Sequence, residues 1–225
     1  MLKNWLLSLL CIGLTQLGAQ NLTVGLSLNP GLSEVTSNLP FSGDYQTQFT
    51  LSGNAGLFIE HQLSNKSHLG LELLWVQIEG KEVAEGRRLF AVVNGMPAEI
   101  GEVSDENRIH SSYIGVPIYY RYQLGRWGFS AGAQVLLYLF ASIDSEIEGT
   151  INGEPYSAES RIDEIAFDQA DFGPKVGLNY QWQSKLALSL NYYHGLADLT
   201  SEFFPWQRRN RQLTLGVRYA FHQQL

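Results

Sequence analysis

The sequence predicts an all-β fold, an eight-stranded antiparallel up-and-down barrel that crosses a membrane. Three observations predict it. Apolar and polar side chains alternate with a period of two along most of the chain. Tight and long connections alternate between these segments. Aromatic residues gather at one level of the strands so defined.

The first residues form a targeting segment. Lys3 supplies a positive start, Leu6 to Leu14 a short apolar run, and Leu17-Gly18-Ala19 a small-residue site before Gln20. This is the pattern of a secretory signal peptide over residues 1–19, cut near Ala19, with 20–225 as the barrel domain. The apolar run is too short for a membrane helix, which needs about 20 residues. No later segment offers a longer one. Cys11 is the single cysteine, and Leu9-Leu10 before it are not the small residues that lipid attachment needs. The mature chain is therefore expected to lack disulfides and thiol chemistry.

Eight segments then read as strands: 22–29, 51–63, 68–79, 112–124, 128–143, 171–183, 185–198 and 212–221. The last is the clearest. Leu213, Leu215, Val217, Tyr219 and Phe221 point one way, and Gln212, Thr214, Gly216, Arg218 and Ala220 the other. Most segments reach the length of a tilted membrane strand, about 9–11 residues. Residues 64–67, 125–127 and the stretch around Ser184 read as tight turns. Residues 30–50, 80–111, 145–170 and 199–210 read as long excursions. Short periplasmic turns and long outer loops are the pattern of an outer-membrane barrel.

Composition agrees. Charged residues make up 16% of the chain and aromatics 12%, with 22 glycines, which suits short-turned strands better than a helical enzyme. The net charge of −7 argues against a nucleic-acid partner.

The aromatic positions give the barrel a direction. Tyr120 and Tyr122, Tyr180 and Trp182, and Tyr219 and Phe221 end descending strands, while Trp127 and Phe129 begin an ascending one. All fall at one level and read as an interfacial girdle. Trp75 and Tyr192 mark the opposite level. The second face of the strands is small and polar. It carries Glu60, Glu72 and Asp171 against Arg121, Lys175 and Arg218. An eight-stranded barrel is just wide enough inside for side chains. These six are therefore expected to form a lumen charge network that closes the barrel.

Four stretches resemble a known family. They are "GNAGLFIEHQLSNKSHLGLELLWVQIEG" at 53–80, "YIGVPIYYRYQL" at 113–124 with Pro117, "GFSAGAQVLLYLFAS" at 128–142, and "DFGPKVGLNYQW" with "LSLNYYHGLADL" at 171–199. Together they resemble the Bacteroidota-type outer-membrane β-barrel family, called PorT-like. The resemblance implies residence in the cell outer membrane and handling by the barrel-insertion machinery. That machinery reads a terminal aromatic, and here Phe221 is followed by His222-Gln223-Gln224-Leu225. Some members of the wider family serve secretion systems.

No residue pattern marks a reaction, and no cofactor is expected. His110-Ser111-Ser112 lies at the rim without an obvious acid beside it, and the histidines lack metal-ligand spacing. The acidic stretch with Asp144, Glu146, Glu148, Glu154, Glu159, Asp163, Glu164 and Asp168 against Arg161 reads as solvated charge more than as a calcium loop. Asn94-Gly95 and Asn152-Gly153 favour type I′ turns and predict hairpins above the membrane, whose edges could accept a partner strand. Phe203, Phe204 and Trp206 with Arg208 and Arg209 could meet lipopolysaccharide phosphates. The expected function is structural or binding, through the outer loops, without catalysis. The alternatives are a small porin-like channel for ions or polar solutes, a lipid-modifying enzyme, and a soluble barrel holding an apolar ligand.

Overall fold

The computed structural model describes residues 21–37, 44–93, 96–163, 170–199 and 208–223. The expected signal segment, Asn94-Gly95, Glu164 and Asp168 lie outside them, as do Phe203, Phe204 and Trp206. The described chain forms β1 (Leu22–Ser37), β2 (Asp44–Ser64), β3 (Ser67–Val93), β4 (Met96–Leu124), β5 (Trp127–Ile151), β6 (Glu154–Asp163), β7 (Asp171–Gln183), β8 (Leu186–His194) and β9 (Arg208–Gln223).

All pairings are antiparallel. β1 pairs with β2 and β9, β4 pairs with β5, and β5 pairs with β7. A ring of eight strands therefore closes, with β6 standing outside it. β6 lies only against the far half of β5, from Ser142↔Asp163 to Ile151↔Glu154. The up-and-down, all-β barrel read from the sequence is the fold.

The strands run further than the alternation indicates. Residues 30–50 and 80–111 are mostly strand, and 145–163 extend β5 and form β6. At the other extreme β8 stops at His194, short of residue 198. The reason is physical. Beyond the apolar band both sheet faces meet polar surroundings, so the contrast between odd and even positions fades, although ladder bonding continues. The Asn-Gly pair was the surviving signal: Asn152 has φ 53° and Gly153 φ 82°, the left-handed pair of a type I′ turn.

Large apolar side chains cover the outside of the ring. Leu28, Leu73, Ile118, Phe172 and Leu215 are each more than half exposed. A continuous exposed apolar band of this kind is what lipid contact requires. At the turn end of the barrel, Tyr120, Tyr122, Trp127, Phe129, Trp182, Tyr219 and Phe221 are exposed and Tyr180 is half-buried. The Trp127 and Tyr180 rings lie 4.8 Å apart across β5–β7, and Tyr219 and Phe221 5.8 Å apart on β9. Trp75 and Phe140 pack 6.2 Å apart at the opposite rim of the band.

Candidate functional site: the closed lumen and the projecting sheet

Inward side chains fill the ring in layers. Nearest the turn end lies a charged layer. Glu60 Oε1 accepts from the Tyr119 hydroxyl at 2.8 Å and pairs with Arg218 Nη2 at 2.9 Å. Glu60 Oε2 pairs with Arg121 Nη2 at 2.6 Å. Arg218 Nη2 also donates to the Tyr119 hydroxyl at 2.6 Å and lies 3.5 Å from Glu72 Oε1. Lys175 Nζ donates to Glu72 Oε2 at 2.9 Å. The Arg218 guanidinium sits 4.1 Å from the centre of the Phe58 ring. Glu60, Glu72, Arg121, Lys175 and Arg218 are thus drawn into one connected cluster.

Asp171 is not part of it. It lies four residues along β7 from Lys175, roughly 13 Å at strand rise, toward the hairpin end. There it accepts from Asn210 Nδ2 at 3.0 Å and from the Ala197 backbone N–H at 3.3 Å. The expected six-member network is therefore corrected to five members. The side chain of Lys175 turns to Glu72, and amide groups satisfy Asp171 instead.

Above the charges comes an amide layer. Asn29 Nδ2 donates to Asn54 Oδ1 at 2.8 Å, Asn54 Nδ2 to Gln212 Oε1 at 3.2 Å, and Ser189 Oγ to Asn29 Oδ1 at 2.9 Å. Next to it lies an apolar cluster of Val35, Leu74, Val76, Ile78, Ile109, Tyr113, Leu136 and Tyr193, all buried. The lumen is thus not closed by charge alone. A polar-only interior was expected because the eye stops at the polar residues of the inner face. Leu74, Val76 and Ile78 share the parity of Gly70 and Glu72 on β3 and continue the same face inward.

Sequence reasoning also passed over Phe58 and Tyr119. The signal for both is a glycine across the ladder. A Cβ on Gly70 would meet Tyr119 Cζ at 2.2 Å, and one on Gly25 would meet Phe58 Cζ at 2.5 Å. Each glycine leaves room for the ring opposite.

At the hairpin end, β3 to β6 project beyond the band as one sheet. Its outward face carries charged rows fixed by register: Glu106–Glu146–Glu159, Arg108–Asp144–Arg161 and His110–Ser142–Asp163 across β4, β5 and β6. All but Ser142 and Asp163 line an open groove of about 580 Å³. Lys81 pairs with Glu106 at 2.7 Å, and its hydrogen bond is the main cause holding the Glu106 carboxyl below the usual range, with Arg108 assisting. Arg161 bridges Asp163 at 2.8 Å and Asp144 at 3.6 Å. Glu146 and Glu159 face each other without a described ion-pair partner.

His110 does have acids beside it, contrary to the reading that none stood near. Glu79 Oε1 lies 3.4 Å from Nδ1 and Asp144 Oδ2 3.4 Å from Nε2. Both ring nitrogens face carboxylates, and among the described residues no hydrogen bond joins His110 to Ser111 or Ser112. The acids come from β3 and β5, which a search along β4 could not reveal. Among the described residues no group of three or more His, Cys, Asp or Glu could hold a metal ion. Arg208 turns to Glu82 at 2.9 Å inside the rim, so its guanidinium is engaged there, and Arg209 is half-buried.

The sequence matches the family described as outer membrane protein beta-barrel domain over residues 18–201. No curated protein matches it. Among solved structures, similar ones include Ail, the attachment invasion locus protein of Yersinia pestis, solved with the heparin analogue sucrose octasulfate, at 11% identity and TM-score 0.41, covering 89% of this chain and 99% of that one. Neisserial surface protein A has 10% identity and TM-score 0.41, covering 88% and 97%. The outer membrane protease OmpT of Escherichia coli has 11% identity and TM-score 0.39, covering 90% and 94%. With its closed antiparallel ring and its match over most of the sequence, the chain belongs to the outer membrane protein beta-barrel domain family and resides in the cell outer membrane.

Proposed function

We propose that the protein is a closed binding barrel that works through its projecting sheet, not through its lumen. In this reading residues 1–19 are removed as a signal, the tight turns face the periplasm and the hairpins face outside. The four stretches quoted above support a finer placement among PorT-like barrels of the Bacteroidota kind.

One observation carries the binding reading: the ten-residue strand β6 pairs with β5, and among the described residues no strand pairs with its second edge. The register says which groups lie there. The two-residue turn at Asn152-Gly153 makes Ile151↔Glu154 a hydrogen-bonded pair. Alternation then directs the backbone N–H and C=O groups of Ser157, Glu159, Arg161 and Asp163 to the free edge. Pro155, which has no N–H, falls on the same side. An extended partner segment can add there as a further strand. Glu146 and Glu159 stand side by side on this sheet, an unfavourable pairing of like charges. A lysine or arginine at alternate positions of the incoming strand would relieve it. The partner class is therefore an extended basic protein segment.

The test is fluorescence anisotropy on purified protein in neutral detergent. The probe is a synthetic peptide of threonine and valine with lysine at every second position. Saturable binding is expected, and loss of binding on N-methylation of the peptide backbone or in the variant E146Q/E159Q. Equal binding of the N-methylated peptide would overturn strand addition, and absence of binding would overturn the partner class.

A further inference from the structure

The turn end of the barrel has the opposite charge from the hairpin end. Each tight turn carries one base and no acid: Lys66, Arg126 and Lys185, all exposed. Within the charged layer three cations, Arg121, Lys175 and Arg218, face two carboxylates, Glu60 and Glu72. The charged layer therefore holds an excess cation at the mouth of a lumen whose walls are low in dielectric.

The guanidinium groups are also incompletely satisfied. Arg121 and Arg218 each direct Nη2 to Glu60, while the buried Nε of each has no hydrogen-bond partner among the described residues. Native structures rarely leave such donors unpaired. Both arginines line a small cavity of about 60 Å³ together with His68, Gln62, Ser184, Lys185 and the one acid, Glu60. The strand ring separates this cavity from surrounding lipid, so a headgroup cannot enter sideways. It opens beside the turn of Ser184 and Lys185, both exposed.

We propose that this mouth is a binding site for a small soluble oxyanion, a phosphate or carboxylate group, seated between Arg121, Arg218 and Lys185. Arginine is suited to such a ligand because its planar fork matches two oxygens at once. The anion would neutralise the excess cation of the layer. The cavity admits the anionic head and not a bulky remainder. The site is at the far end of the barrel from β6 and does not depend on the strand-addition reading. The two can fail separately.

The experiment is titration calorimetry of inorganic phosphate, and in parallel acetate, into the purified barrel in neutral, phosphate-free detergent. Sodium chloride at matched ionic strength controls for general screening. A saturable signal is expected, with a rise in unfolding temperature on adding phosphate. K185Q should weaken binding about tenfold, the loss of one well-placed charge-assisted bond. Lys185 has no described side-chain partner, so this variant should fold normally. K66Q, an exposed turn base outside the cavity, should bind like the parent. Absence of saturation, or equal losses in K66Q and K185Q, would overturn the site and leave only diffuse attraction to a basic surface.

Discussion

Gly70 and Tyr119 face each other across the β3–β4 ladder, and the space that one lacks is the space that the other fills. A Cβ on residue 70 would stand 2.2 Å from Tyr119 Cζ. The ring cannot retreat freely, because its hydroxyl is held between Glu60 and Arg218. Gly70→Ala is therefore expected to displace the ring and break those bonds. Overpacking of this kind costs about 1–3 kcal/mol. Urea unfolding of refolded barrel in detergent would show it as a lower midpoint with an unchanged slope. A midpoint equal to that of the parent would mean that the ring is not fixed as described.

Glu60 is the shared counter-charge of Arg121 and Arg218. Glu60→Gln keeps the shape and removes the charge. Breaking a buried pair from one side costs about 3–5 kcal/mol. The loss should appear as reduced heat-resistant migration of the folded barrel on gels. Glu60→Gln paired with Arg218→Met should recover part of it, since fewer unpaired charges remain. Failure of the double variant to improve on the single one would argue against direct coupling.

The lumen makes a separate claim about conduction. Leu74, Val76, Ile78, Ile109 and Leu136 are each at most 1% exposed and block the ring between its polar layers. Purified protein in planar bilayers should show no steady openings. Leu74→Ala combined with Leu136→Ala should still not conduct, because the Glu60–Arg218 layer lies in series with the apolar one. Reproducible conductance steps in the parent would overturn the closed-lumen reading and restore the channel.

How much of this was legible follows from where contrast exists. In the lipid band one face meets lipid and the other a packed interior, so the parity of Leu213, Leu215 and Val217 against Thr214, Gly216 and Arg218 is plain in the sequence. Past the band, Glu79, Lys81 and Glu82 are polar on both faces and the period vanishes, although the ladder goes on to Val93. The candidate site was partly legible for a related reason. Charges on the inner face are conspicuous, so Glu60, Arg121 and Arg218 could be named. Which of them meet depends on strand stagger, and Asp171 illustrates the limit: it has the right parity and the wrong height. The acids around His110 arrive from neighbouring strands, and only register reveals them.

The β5–β6 turn is a local device with a local consequence. Gly153 adopts φ 82°, where a side chain is strained, and nothing lies within 4 Å of its missing Cβ. Gly153→Ala should therefore cost about 1 kcal/mol through backbone conformation alone. Amide exchange should accelerate along β6 and the far half of β5, while β7–β9 stay protected. Equal acceleration throughout the barrel would mean that the hairpin is not an independent unit.

The projecting sheet should also loosen in acid. Glu106 is paired with Lys81 and Arg108, and its carboxyl is held below the ordinary value of 4.5, first by the Lys81 hydrogen bond. A carboxylate whose folded pKa is depressed contributes stability above its unfolded pKa. That contribution fades as pH drops below 4.5 and is gone once pH has fallen through the lower folded value. The Glu106 side chain keeps 27% of its surface exposed, so solvent and salt reduce the effect. Hydrogen exchange compared at pH 6 and about pH 3, corrected for intrinsic rates, should show lost protection at Lys81 and Arg108 with little change in the ring below them. Glu106→Gln should remove most of the difference between the two conditions. If that variant keeps the full pH dependence, the acid sensitivity does not come from the Glu106 pairs.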